Sequence, residues 1–328
     1  MASDPSNLNA AERAKREADK QKRRAQRIAL MQTGMQDLEA WLSDVIREGT
    51  ATTEGQPYAF WQDISSRMVD TQLSALGPRI RALQLLHHAH SDWPDQLLQE
   101  LAELYLLARG FHRLSLLPSP LQDQVLRLAG IRDNKKELLQ QPGWFDHWGV
   151  LGQFEGINID NGHFRRTWLR GAKSRKIGLL LDYDYQNRGY DTTWEVGRIY
   201  SGELVYYPSA YPQRALLKTN EVEPPLIRQM KGYPNATAFR EDYTAALAAN
   251  PWLAEFPCCL EKVRPVLQET DLWLIDEQDN QVPTHAKEQV VWQLIALSGG
   301  HPITVFGEWT GAVFLPLSAL VNQRLIGF

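Results

Sequence analysis

Carboxylates at the end of a buried strand are where a hydrolase or nuclease would hold magnesium, because the backbone there fixes them rigidly. Asp182, Asp184 and Asp191 follow the apolar run of IGLLLDYDY in that way. Strand alternation, however, puts Asp182 and Asp184 on one face and Tyr183 and Tyr185 on the other, as in a half-exposed strand end. No further acid-rich motif accompanies them. His87, His88 and His90 lie near Asp92 at the end of a helical stretch, but without the i, i+4 spacing that places two imidazoles on one helix face around a metal. The vicinal pair Cys258-Cys259 follows Pro257 and reads as two small buried residues. Ser298-Gly299-Gly300 lacks the remainder of a phosphate loop or nucleophile elbow and reads as a turn. No catalytic signature is complete, so the expectation is a protein that is not an enzyme and needs no cofactor or metal.

Two basic sets are better candidates. Arg165, Arg166, Arg170, Lys173, Arg175 and Lys176 surround Trp168 over a short hairpin, a combination that suits an acidic partner or a phosphate. A strand edge covered by Lys and Arg to discourage aggregation explains it equally well. Lys20, Lys22, Arg23, Arg24 and Arg27 belong to a basic N-terminal arm that could bind nucleic acid by displacing counterions. Its acids and its lack of interleaved aromatics favour a solvated helix instead.

The elements that position these residues divide the chain. Residues 1–9 are polar and read as disordered. Ala10 to about Leu30 is Ala, Glu, Lys, Arg and Gln with almost no apolar stripe, a solvated extension of a longer helix. Leu38, Trp41, Leu42, Val45 and Ile46 then follow the amphipathic series up to Gly49. Val69, Leu73, Leu76, Ile80 and Leu83 predict a second helix that Pro78 kinks or divides. A third has Asp92 as cap, Pro94 in its first turn, and Leu97, Leu101, Leu104, Ala108 and Phe111 on its buried face. A fourth starts at Ser119-Pro120 and ends at Gly130, and the short helix in DNKKELLQQ closes the set before Pro142-Gly143. Residues 31–143 therefore read as an antiparallel helical bundle.

After Trp144 the pattern changes to short apolar segments separated by Asn-Gly, Arg-Gly and Ser-Gly turns. The stretch 164–183 is expected at the centre of a sheet, with 202–218 as its partner strand, and INIDNGHF as a tight hairpin. One helix is expected at Ala236–Ala249, and Val290–Leu297 is either strand or short helix. The fold class is α+β: an arm over 1–30, the bundle, and a mainly antiparallel, sheet-dominated domain over 144–328.

Composition sets the outer limits. The 328 residues carry a net charge of −4, but residues 1–30 hold eight Lys or Arg against four acids. The body is thus acidic, unlike a protein shaped over its whole surface for nucleic acid. No apolar run approaches the ~20 residues that cross a bilayer. The N-terminus lacks a secretory pattern and there are two cysteines, so the expected compartment is the cytoplasm.

QPYAFWQDISSRMVD, ELYLLARGFHRL, RTWLRGAKSRKIGLLLDYD, ELVYYPSAYPQRALLK and FGEWTGAVFLPLSAL together resemble the region downstream of the zinc finger in bacterial SWIM zinc finger family proteins. In that family a Cys-x-Cys, spacer, Cys-x-His finger precedes the Ala/Lys/Arg-rich helix. Neither spacing occurs here, so none of the family's zinc ligands carries over, and zinc would enter only with an upstream finger missing from this chain. Family members are often encoded beside MoxR-type AAA ATPases and von Willebrand factor A-type proteins. The resemblance therefore implies an accessory or adaptor role with such a partner. The alternatives are a nucleic-acid-binding accessory using the arm and the 165–176 loop, and, third, a metal-dependent hydrolase at Asp182 and Asp184.

Overall fold

The computed structural model describes residues 10–87, 93–158, 162–184, 188–219 and 221–328. Residues 1–9, His88, His90, Asp92 and the tip of INIDNGHF lie outside the described residues. The chain divides into two compact units, Met1–Arg132 and Asp133–Phe328.

In the first unit α1 (Ala10–Glu48) is one continuous helix. Its first half is made of strong helix formers and is exposed; from Met31 onward Met35, Leu38, Leu42 and Val45 enter the core. Ile46, expected among them, is half-exposed. The second predicted helix is two, α2 (Tyr58–Asp70) and α3 (Leu76–Leu86). The division falls at Thr71–Ala75, where Gln72 takes a left-handed φ of 66°, and Pro78 sits in the first turn of α3, where its missing N–H costs nothing. Val69, expected on the shared apolar face, is consequently exposed. α4 (Trp93–His112) buries Leu97, Leu101, Leu104, Ala108 and Phe111. It runs antiparallel to α1: Arg109 and His112 at its end reach Glu39, while Leu98 and Leu101 lie beside Leu42 and Ile46. α5 (Ser119–Ala129) ends at Gly130, whose φ of 111° is the left-handed cap that glycine adopts without penalty.

The short helix α6 (Lys135–Leu139), expected in the bundle, packs in the second unit, where Leu138 meets Val205 and Tyr207. That unit holds two six-stranded sheets. The first contains β1 (Trp144–Ile157), β2 (His163–Gly171), β3 (Ile177–Asp184), β4 (Arg198–Tyr206), β5 (Ala215–Leu217) and β6 (Glu221–Leu226). Its order is β3-β2-β1-β4-β5, with β6 on β4, all antiparallel. The 202–218 stretch therefore pairs with β1 and not with β2 or β3, because β1 lies between them. The ends of the sheet meet: Leu179 N–H donates to Gln213 O at 2.7 Å, and the Tyr206 hydroxyl donates to Ile177 O at 2.7 Å.

Ser201-Gly202, expected as a turn, lies within β4. A Cβ on Gly202 would stand 2.0 Å from Thr219 O, so the glycine marks a close backbone approach instead.

The second sheet follows α7 (Ala236–Ala249). It consists of β7 (Phe256–Gln268), β8 (Asp271–Ile275), β9 (Gln281–Thr284), β10 (Ile303–Trp309), β11 (Phe314–Val321) and β12 (Arg324–Gly327). Val290–Leu297 is helical, within α8 (Glu288–Ser298). The order β10-β7-β8-β9-β11-β12 is closed by a β10–β11 pairing, and all contacts are antiparallel except β9 with β11.

Side chains of β1–β3 alternate between two buried environments. Val150, Leu169 and Leu180 fill the first sheet with Trp148, Tyr200 and Leu204. Leu151, Trp168 and Leu179 face the second sheet, meeting Phe306, Leu317 and Cys259.

Candidate functional site

Of the basic hairpin set, three members are turned inward. Arg165 donates to Asp182 at 2.9 Å and to Thr192 O at 2.5 Å, with its guanidinium over the Tyr190 ring. Arg166 crosses to the second sheet. Its Nε and Nη2 donate to the two oxygens of Glu308 at 2.8 and 2.6 Å, and its Nη1 reaches Glu255 at 2.8 Å. Trp168, fully buried, donates its indole N–H to the same Glu308 at 2.7 Å. Glu308 is itself 0% exposed, and an unpaired carboxylate there would be very costly. Burial pushes the Glu255 carboxyl above its ordinary value, and Arg166 acts against that shift. Arg165, Arg166 and Trp168 are thus struts of the unit, with no face open to a partner.

The remaining members stay at the surface. Lys173 is exposed and Lys176 rests 4.1 Å from the Trp144 ring centroid. Arg170 and Arg175 line a cleft of 340 Å³ together with Arg228, Lys231 and His147, over an apolar base that includes Ile199 and Ile227. Arg170 donates to Lys231 O, tying the end of β2 to the segment after β6. The turn carrying Arg175 is held from below by Asp146, which accepts from the N–H groups of Lys173 at 3.2 Å and Ser174 at 2.7 Å. Burial would raise the Asp146 carboxyl, but these donors outweigh it and hold it below its ordinary value. Arg228 and Lys231 escaped sequence reading because they lie in the irregular stretch behind Pro224-Pro225, far from the hairpin they join.

On the first unit the arm residues Lys22, Arg23 and Arg24 are exposed, and the side chain of Lys20 lies outside the described ones. Arg27 is occupied, donating to Gly130 O at the end of α5 at 3.1 Å. At about 100° per residue, positions 13, 16, 20, 23, 24 and 27 share one helix face. It continues the face by which Met31, Met35, Leu38 and Leu42 enter the core, while Glu12, Glu17 and Asp19 fall to either side. Farther along, α1 and α4 enclose an apolar groove of 410 Å³. Leu42 and Leu101 form its floor; Ile46, Leu98 and Tyr105, each 40–48% exposed, form its rim. Leu98 and Tyr105 went unread because they stand one step off the buried series of α4.

The other candidates are accounted for locally. Asp182 is paired to Arg165, and Asp184 accepts from the N–H groups of Arg188 and Gly189 at 3.0 and 2.9 Å. His87 is buried between Thr53, at 2.9 Å, and Trp93. Cys258 and Cys259 point to opposite faces of β7, into the core of the second sheet and toward the first sheet. Burial raises both thiols, that of Cys259 to about 12. Among the described residues no three His, Cys, Asp or Glu side chains converge to hold a metal ion, and no helix is long and apolar enough to cross a membrane.

Residues 26–129 match the family described as the SWIM-associated four-helix bundle domain. The chain carries that SWIM domain. The match begins where α1 meets the bundle at Arg27 and ends with α5, which agrees with the region that follows the finger in SWIM proteins. No curated protein and no solved structure matches the chain.

Proposed function

We propose that the chain is a non-enzymatic interaction protein that binds a protein partner through its SWIM-associated bundle, as an adaptor. The observation that carries this reading is the groove between α1 and α4. Its floor and rim are aliphatic or aromatic at Leu42, Ile46, Leu98, Leu101 and Tyr105, and a continuous exposed apolar strip of this kind suits the apolar face of a partner helix. A MoxR-type AAA ATPase or a von Willebrand factor A-type protein is the partner to try first, on the strength of the SWIM resemblance. The test is affinity capture from nuclease-treated native lysate with the wild-type chain and with Ile46→Glu/Leu98→Glu. A stoichiometric ATPase retained by the first and lost by the second supports the adaptor role. Capture that ignores the substitutions, or that vanishes on nuclease treatment, refutes it.

The basic face of the arm favours a second reading, a nucleic-acid-binding accessory. Apart from alanines, residues 10–27 offer no apolar surface for a protein to cover, whereas phosphates need charge alone. Binding of a DNA duplex would then fall steeply with salt, with a log–log slope of about −0.9 per phosphate contacted. Arg16→Glu/Arg23→Glu/Arg24→Glu would flatten that slope, and a slope unchanged by this variant would rule out the arm.

A further inference from the structure

We propose that the basic cleft of the second unit binds an acidic protein segment that carries an aliphatic side chain among its carboxylates. Arg175, Arg228 and Lys231 stand on two walls of the cleft, and among the described residues none of them forms an ion pair. The acids nearby are already engaged. Glu223 sits 3.6 Å from His147, and Asp146 is turned under the 171–174 loop toward backbone N–H groups. The mouth is therefore positive, on a body that is acidic as a whole.

The walls are held apart by the chain itself. Arg170 bonds to Lys231 O, and Ile227 N–H donates to Gly197 O at 2.9 Å. Ile227 also closes the base: a Cβ on Gly149 would lie 2.7 Å from its Cδ1, so the floor is continuous aliphatic surface with Ile199. Such a site needs little ordering before it binds.

The lining decides among anions. It includes no aromatic ring on which a base could stack and no residue of a helix whose N-terminus could receive a phosphate. What it offers is guanidinium and ammonium groups above an aliphatic floor. A peptide alternating carboxylate and aliphatic side chains satisfies both, because arginine pairs carboxylates through two N–H groups while the floor takes up the apolar side chain. The cleft is separate from the groove of the bundle, and the two are tested by different substitutions.

The experiment is fluorescence anisotropy of a labelled peptide of alternating glutamate and leucine with the full chain. Its comparison arms are a glutamate–serine peptide, a lysine–leucine peptide and inorganic phosphate as competitor. The glutamate–leucine peptide is expected to bind tightest. Arg175→Glu/Arg228→Glu should weaken it by about tenfold or more, while Leu98→Glu on the bundle leaves it unchanged. Thermal unfolding of the double variant at the wild-type midpoint confirms that its fold is kept. Equal binding of the lysine–leucine peptide, or indifference to the double reversal, overturns the proposal. Equal binding of the glutamate–serine peptide with displacement by phosphate also overturns it, and makes the cleft a simple anion site. Failure here with groove-dependent capture intact removes the cleft inference alone.

Discussion

Replacing Arg166 by methionine separates a strut from a binding residue. The substitution preserves most of the stem and removes the guanidinium that bonds both oxygens of Glu308, at 2.8 and 2.6 Å, and Glu255, at 2.8 Å. Glu308 is 0% exposed, so it keeps only the indole N–H of Trp168 as donor and cannot turn to water. Breaking a buried pair in this way costs about 3–5 kcal/mol. Glu308→Gln added to Arg166→Met removes the orphaned charge and leaves a carbonyl to accept from Trp168. The double variant should therefore recover about 2 kcal/mol or more of that loss, a strong non-additivity between contacting groups. Urea unfolding followed by tryptophan emission measures the stability, and hydrogen exchange of β2 and β10 locates the loosening at the seam between the sheets. A cost under about 1 kcal/mol for Arg166→Met, with no recovery in the double variant, would show that the cluster is not holding the sheets together. Arg166 would then be available to a ligand after all.

Other consequences concern stability and reactivity. Gly202→Ala forces a methyl toward Thr219 O, 2.0 Å away, and should cost about 1–3 kcal/mol in urea unfolding. Gly55→Ala, which meets nothing within 4 Å, should stay within about 0.5 kcal/mol of wild type. Asp276 is held below the ordinary carboxylate range: burial alone would raise it, but N–H donors from Ala236, Asn280 and Gln278 prevail. Its contribution is present above the unfolded value and lost as pH falls through the lowered folded one. The stability gap between wild type and Asp276→Asn should accordingly shrink as pH drops below about 4. Cys258 and Cys259 should resist a thiol reagent at pH 8 in the native chain and react once it is unfolded in urea, since burial raises both thiols. Fast native labelling would contradict their placement.

The buried strands were legible because they are covered on both faces. Val150-Leu151, Trp168-Leu169 and Leu179-Leu180 are doublets in which one residue enters the first sheet's core and the next faces the second sheet. This produces continuous apolar runs and not simple alternation. The neighbours of each strand were not legible, since an apolar run carries no mark of which strand lies beside it; 202–218 was paired wrongly for that reason. Glycine misled in the same way. Gly202 and the turn glycines look alike in sequence, and only Thr219 O at close range distinguishes them.

Charge shows the limit most clearly. Arg166 and Arg175 belong to one basic loop, and nothing local separates them. Their roles diverge because Glu308, 142 residues away from Arg166 in the chain, is brought opposite it by the packing of β10, while no described acid is brought opposite Arg175. Whether an arginine braces the fold or faces a ligand is thus decided by where the fold places the acids. A basic loop read alone can name the candidates for binding. It takes the remote strand to divide them, and here that division leaves Arg175 to join Arg228 and Lys231 in the cleft.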